Sequence, residues 1–295
     1  MAEPRIGVVG LPGKWSTETL ADEVEAATGS RLVIDMTDIV LDLSGRSLRY
    51  GIHDLCEFDA LIVKKISSEY SPNSIDRLEL LRIAEAEGVR VFSPATSMLR
   101  LIDRLSCTVT MANAGIPMPP TLITEDVMLA DKAVIDYGSA VFKPLFSTKA
   151  RGMIIVSADD PEHTRVEQIR QFHADNSMMY IQKKMNLPGE DLGLVFLGGK
   201  YMGAYARVSR GNSWNTTIHD GGRYAAAAPD GSWIETAYQA QALFDMDYTT
   251  VDMAETEHGP VVFEVSAFGG FRGASEGLDI NIAKHYVDYV LSQLD

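Results

Sequence analysis

Little in this chain can be crosslinked. Among its 295 residues there are only 2 cysteines, Cys56 and Cys107. They lie far apart and outside any CxxC spacing, which excludes a disulfide framework and gives no start to a zinc site. Cationic charge is also scarce: 26 Lys and Arg stand against 41 Asp and Glu, a formal charge of -15. A surface of that sign repels a phosphate backbone, so nucleic acid is not an expected partner. No apolar run approaches the roughly 18 residues of a membrane span, and no basic stretch precedes a signal-like segment. The expected setting is therefore cytoplasmic, with no membrane partner. The dinucleotide fingerprint GxGxxG is missing after the first apolar run, where only Gly10 and Gly13 occur, and no internal repeat is found.

What is present is an ordinary globular composition, 46% apolar and 23% charged, at a length that favours two or three lobes over a single core. Ile6 to Gly10 is a short apolar run, and a helical stretch from Ser16 to about Thr28 follows it, closed by Gly29. Apolar runs at Arg31–Met36, Ala60–Val63 and Val89–Phe92, with a helical stretch from Ile75 to Glu87, continue the alternation. Alternating strands and helices imply a parallel sheet with covered faces, so residues 1–95 are expected to form an α/β lobe. An amphipathic stretch from Ser97 to Ala114 and the stiff Gly115–Pro120 segment make 96–135 a helical connector. From Ala140 the pattern turns to β-rich pairs with glycine turns, Leu197-Gly198-Gly199-Lys200 joining two of them as a hairpin. The expectation is an α+β lobe at 136–188 and a larger one at 189–295, closed by a helix from about Asn281 to Gln293.

Two strand-like runs, Val251–Ala254 and Val261–Val265, flank Glu257-His258-Gly259-Pro260. A turn over 256–260 would set Asp252 opposite Glu264, with Cβ atoms roughly 4.5–5.5 Å apart, where like charges destabilise. A magnesium ion would convert the pair into a site for phosphate oxygens; a solvent-exposed hairpin would merely screen it. On spacing alone the two are balanced. Lys143 within the apolar strand Val141–Leu145 calls for an anion, because an unpaired buried ammonium is costly. The turn Ser147-Thr148-Lys149-Ala150-Arg151-Gly152 is rich in hydroxyls and cations and suits phosphate, although taken alone it reads better as a solvated turn. Arg207 and Arg210 precede a donor-rich stretch, Trp214–Gly222, in which His219 has no partner at metal spacing. Ser266–Gly273 follows Glu264 directly, and Arg272 in it could clamp a carboxylate.

In this order the segments resemble the ATP-grasp superfamily and, within it, the RimK-like amino-acid ligases. The resemblance spans nearly the whole chain and rests on the connector up to Pro119, on Lys143, on the run Gln182 to Asp191, and on Asp252 with Glu264. It implies a Rossmann-like first lobe and a nucleotide held between the two α+β lobes. It further implies ATP and magnesium, with manganese as an alternative metal. Lys143, Arg104, Lys149 and Arg151 would face phosphate; Gln182, Lys183, Lys184 and Met185 would border the adenine, and Asp191 the ribose. Asp252 and Glu264 would hold the metal, with Ser266 at a second metal position. Arg207 would meet the γ-phosphate or acyl phosphate, and Arg272 the substrate.

Four departures from the family's pattern stand out. Arg104 replaces a lysine, Ala150 and two cations replace glycines in the phosphate loop, Gly193 replaces an arginine, and Ser266 replaces an asparagine. The implied activity is carboxylate–amine ligation through an acyl phosphate, adding glutamate or another amino acid to a cofactor or a peptide, in a chain that such relatives often assemble into oligomers. The alternatives are an ATP-binding regulator of the same fold without ligation and, last, a Rossmann-type oxidoreductase.

Overall fold

The computed structural model describes residues 3–148, 150–187, 189–208 and 223–294. Lys149, Arg210 and the stretch Trp214–Gly222 lie outside the described residues.

The first lobe contains β1 (Ile6–Val9), α1 (Trp15–Thr28), β2 (Val33–Ile34), β3 (Ile39–Asp42), β4 (Ser47–Tyr50), β5 (His53–Asp54), β6 (Ala60–Val63), α2 (Pro72–Ala86) and β7 (Arg90–Phe92). Strands β2-β1-β6-β7 form the expected parallel sheet. Its central strands β1 and β6 are buried along their whole length, as the apolar runs require. Strands β3-β4-β5 make a separate antiparallel sheet that the sequence reading did not contain. They are short, and an exposed Val40 within β3 breaks the polar–apolar alternation of its sequence.

Two helices follow, α3 (Ala95–Ile102) and α4 (Arg104–Asn113), in place of the single helix expected over 97–114. The break falls at Asp103, whose extended backbone and side-chain bond to the Leu105 N–H cap the second helix.

The next lobe comprises β8 (Thr121–Thr124), α5 (Val127–Tyr137), β9 (Ser139–Lys143), β10 (Ile154–Ser157), α6 (Glu162–Asp175) and β11 (Met179–Lys183), with sheet order β10-β9-β11-β8. Its core is its own: Ala130 and Val134 of α5 pack with Phe142, Ile169, Met179 and Ile181. β8 and α5, which the sequence reading assigned to the connector 96–135, thus pair and pack inside this sheet. β8 is half-buried along its length and has threonine at both ends, so it shows no apolar run.

The last lobe comprises β12 (Glu190–Leu197), β13 (Lys200–Val208), β14 (Arg223–Ala227), α7 (Gly231–Ala242), β15 (Tyr248–Ala254), β16 (Val261–Val265) and α8 (Ile282–Leu294). Its antiparallel sheet has the order β14-β13-β12-β15-β16. Unlike the middle lobe, it shares its core with the first: Val8, Leu20 and Val24 join Tyr248, Phe271, Tyr286 and Val290 in one cluster. Among the described residues no helix is long and apolar enough to cross a membrane.

A buried lysine marks this shared boundary. Lys64, at the end of β6, is 4% exposed. Its Nζ donates to the Gly269 carbonyl at 2.8 Å and lies 4.3 Å from the centre of the Phe271 ring. Burial first, and then the charge of Lys65, push this ammonium down to about 7. From that value up to 10.5 the unfolded chain carries a proton that the folded chain does not. Stability should therefore rise with pH across this window, and the gain should be complete above it. Urea titrations at several pH values should show the rise in the wild type and its loss in Lys64→Met; parallel pH profiles for the two proteins would contradict this assignment.

Candidate active site

The register of the large sheet gathers the charged residues. Asp191 pairs with Arg207 across β12 and β13, Gly193 pairs with Asp252 across β12 and β15, and Asp252 pairs with Glu264 across β15 and β16. Side chains alternate between sheet faces, so these pairings put Asp191, Arg207, Asp252 and Glu264 on one face. The Asp252–Glu264 pairing is reached differently from the turn expected over 256–260. Thr256 and Gly259 exchange both backbone bonds, at 3.1 and 3.0 Å, leaving a two-residue loop of Glu257 and His258. Met253 then pairs with Val262, and a shift of register past Phe263 restores Asp252 to Glu264. Phe263 is the extra residue of a β-bulge. Without it, Asp252 would face Phe263 and Glu264 would turn to the opposite face.

Arg207 holds the centre of this face. Its Nε donates to Asp191 Oδ2 at 2.8 Å, its Nη2 makes a shorter contact to the same oxygen, and Nη2 lies 2.9 Å from Asp252 Oδ2. Burial alone would lower its pKa, but Asp252 and Asp191 hold it well above the ordinary value. Asp252 moves upward: burial, reinforced by Asp191 and Glu264, outweighs Arg207. Asp252 Oδ1 is buried and has no hydrogen-bond partner among the described residues. An orphaned carboxylate oxygen beside a second carboxylate is an environment that a hard cation would satisfy.

Among the described residues no group of three or more His, Cys, Asp or Glu side chains forms a metal cluster. Asp252 and Glu264 would offer a metal two carboxylates, a set that fits magnesium, an ion that completes its shell with water and phosphate oxygens. Ser266 extends β16, with its N–H on Thr250 O at 2.9 Å and its carbonyl accepting from Thr249 Oγ1 at 2.7 Å.

Facing this sheet is the end of β9. Lys143 Nζ donates to Gln182 Oε1 at 2.5 Å and lies 5.5 Å from the Phe263 ring centre. Burial and then Arg104 push the Lys143 ammonium down to about 7, with Glu264 acting in the opposite direction. Gln182 is buried, and its amide also reaches Thr121 Oγ1 at 3.1 Å and Tyr180 Oη at 3.3 Å. Its side chain orients Lys143 from beneath. Lys183 and Lys184 give their backbone N–H groups to Pro120 and Ser139, and Met185 is half-buried beside them.

Arg104 joins the pieces. Its N–H and Nε donate to the carbonyls of Leu145 and Pro144 at 3.3 and 3.2 Å, and its Nη1 stands 3.8 Å from Glu264 Oε2. A lysine has no fork with which to serve both. Beside it a cavity of about 20 Å³, room for about one water, is lined by Glu264, Tyr70, Cys107 and Ser147. Ser147 Oγ, like Asp252 Oδ1, is buried without a partner among the described residues.

Other candidates lie elsewhere. Arg151 bonds Glu69 and Thr148 Oγ1, so its charge is spent on the first lobe. Ala150, which stands where the family pattern has glycine, adopts φ +58. The loop takes the conformation at a cost of about 1–2 kcal/mol relative to glycine. Arg272 lies over Trp15, its Cζ 5.5 Å from the ring centre.

Sequence reasoning missed Tyr205. Its ring is buried against Gly193, Gly273 and Gly277: a Cβ on either of the first two would collide with the ring, and one on Gly277 would stand 2.8 Å from Tyr205 Cβ. The ring also lies 6.0 Å from the Arg207 guanidinium. The space an arginine would occupy at position 193 is thus filled from the neighbouring strand. The signal was available, since Tyr205 shares the face of Arg207 by the two-residue period.

A sequence profile of the RimK-like ATP-grasp domain matches residues 102–290. The chain is 23% identical to the tetrahydromethanopterin:alpha-L-glutamate ligase of Methanosarcina acetivorans, over 97% of this chain and 98% of that one. It is 22% identical to the probable alpha-L-glutamate ligase 2 of Hahella chejuensis, over 98% and 96%. Among solved structures, the ATP-grasp ligase PsnB complexed with a phosphomimetic variant of its minimal precursor, Mg and ADP superposes with a TM-score of 0.78 at 18% identity, covering 100% of both chains.

The glycine cradle has a measurable consequence. Gly193→Ala should overpack the Tyr205 ring and destabilise the protein by about 1–3 kcal/mol, and Tyr205→Leu should recover part of that loss in the double variant. Urea unfolding of the four-member cycle gives the coupling; additive effects would show that the ring and Gly193 do not compete for space.

Proposed function

The chain belongs to the RimK-like ATP-grasp family, an enzyme family of ATP-grasp ligases, and we propose that it joins a carboxylate to an amine through an acyl phosphate. The observation that carries this reading is the opposed pair Asp252 and Glu264, with a buried oxygen left unsatisfied and Arg207 fixed beside it. Its curated relatives are alpha-L-glutamate ligases. Glutamate is accordingly the first candidate for the added amino acid, and a cofactor or a peptide for the acceptor.

The roles follow from charge. Phosphoryl transfer onto a carboxylate brings anions together, and residues that hold cationic charge in place before the reaction lower its barrier. Lys143, aimed by Gln182 at the space before β16, would bind the phosphates of ATP. Asp252 and Glu264 would hold magnesium, which when bound neutralises phosphate charge and polarises the transferred group. Arg207, oriented by Asp191, would stabilise the phosphoryl oxygens. Asp191 is buried against Arg207, which supports an orienting role for it more than the ribose contact implied by family resemblance. Arg104 would keep the β9 loop and Glu264 in register.

Incubation with Mg-ATP and paired pools of carboxylates and amino acids should release ADP with the correct pair only. Glu264→Gln should lower kcat/KM by about 10²–10³-fold, the scale of losing one preorganised electrostatic partner. Lys143→Met should weaken ATP binding by roughly 10–100-fold, the worth of a charge-assisted hydrogen bond, as read by calorimetry. Full turnover in a Glu264→Ala variant would sink the assignment, whereas tight ATP binding without ADP release across the screen would favour a nucleotide-binding regulator.

A further inference from the structure

Three polar groups that sit together on the charged face of the large sheet lack hydrogen-bond partners among the described residues. Asp252 Oδ1 is one. Arg207 spends Nε and Nη2 on Asp191 and Asp252, and its Nη1 donates to no described residue. The third is the hydroxyl of Tyr205, which makes no hydrogen bond among the described residues although Tyr205 is only 3% exposed. Buried polar groups are normally hydrogen-bonded, so each exception asks for an explanation.

The register aligns Tyr205, Gly193, Asp252 and Glu264 in one row across β13, β12, β15 and β16. The Tyr205 ring leans along this row: a Cβ on Gly193 would stand 2.5 Å from Tyr205 Oη, so the hydroxyl lies over β12, one strand short of Asp252. Adjacent strands are about 4.8 Å apart, and Tyr205 feels the charge of Asp252 after that of Arg207. Gly273, which opens the π-helical turn Gly273–Gly277, closes on the ring from above, and the Tyr224 ring centre stands 5.4 Å away, edge to face, on the β14 side. Packing alone holds the hydroxyl in place. Burial raises the phenol above its ordinary value, which keeps it a proton donor.

Two of the three groups, Arg207 Nη1 and Tyr205 Oη, can donate, and the third can only accept. The donors are neighbours, with the Arg207 guanidinium 6.0 Å from the Tyr205 ring centre. An anion satisfies two donors but repels a carboxylate, unless a divalent cation stands between them. The chemical class that meets all three is therefore a metal-bound phosphoryl group. A single water between Tyr205 and Asp252 would satisfy those two and leave Arg207 Nη1 as it is.

We propose that Tyr205 Oη donates a hydrogen bond to a γ-phosphoryl oxygen of bound ATP, beside Arg207 Nη1, and so makes this face select a nucleoside triphosphate over the diphosphate. A ring wedged between glycines presents its donor without reorganisation, as electrostatic stabilisation of a transferred group requires. ADP lacks the oxygen that this donor meets, so the contact holds the triphosphate and lets the diphosphate go. The proposal rests on the reading of this face as the phosphoryl site, but nucleotide binding is measured without turnover.

Calorimetric titrations of the full chain with Mg-AMPPNP and with Mg-ADP provide the test. Tyr205→Phe keeps the ring in its cradle and removes only the hydroxyl. It should weaken Mg-AMPPNP about tenfold or more, the worth of one hydrogen bond to a charged group, and leave Mg-ADP unchanged. Its urea midpoint should equal that of the wild type, because the hydroxyl makes no hydrogen bond among the described residues. Equal affinity of the two proteins for Mg-AMPPNP overturns the proposal, even where ADP release upholds the ligase, and so does an equal loss for both nucleotides. A lower urea midpoint with unchanged nucleotide selectivity gives the hydroxyl a structural role through water and overturns it as well. If the wild type binds neither nucleotide, the donor and the phosphoryl site fall together. If the nucleotides are discriminated as stated yet no substrate pair releases ADP, Tyr205 keeps its role and the ligase reading fails.

Discussion

The constraint on which this site depends is the opposition of two carboxylates, Asp252 and Glu264, on adjacent antiparallel strands. Such a pair is unfavourable on its own, and the surrounding structure compensates without removing the charge. Arg207 takes one oxygen of Asp252, Asp191 holds Arg207, and Arg104 approaches Glu264 from another lobe. What remains is an Asp252 oxygen that no described residue satisfies. In a protein interior such groups are exceptions, and they mark places where a ligand completes the structure.

The lobes differ in how they are joined. The first and last share one apolar core, with Lys64 set into their boundary. The middle lobe has a core of its own and meets the others through Arg104 with two β9-loop carbonyls, Thr108 with Tyr180 at 3.1 Å, and Phe146 packed on the large core of the first and last lobes. Lys143 sits on the middle lobe, and Asp252 with Glu264 on its neighbour. Any anion between them would tie the two.

The departures from the family pattern acquire local physical reasons. Gly193 belongs with Tyr205, whose ring needs that space, and Gly273 and Gly277 close the same cradle. Arg104 uses its fork on partners a lysine could not serve together. Ala150 takes a left-handed backbone without the freedom of glycine. Ser266 is anchored through its backbone by Thr249 and Thr250. These adjustments keep the charged face intact while its surroundings change.

The alternation of apolar runs with helical stretches determined the parallel lobe, and opposed strands around Glu257 and His258 suggested the carboxylate pair, because period and turn chemistry are local properties. The exact arrangement was not local. The bulge at Phe263 depends on how β15 and β16 settle against β12, and two departures from the simplest hairpin cancel to return Asp252 to Glu264. β8 becomes a strand only because β11 offers it an edge. Tyr205 and Lys64 took their places through contacts with residues distant in the chain, such as Lys64 with Gly269. Residue types and their periods were written in the sequence; which charges lack partners was decided by tertiary packing, since only the folded chain determines what water can no longer reach.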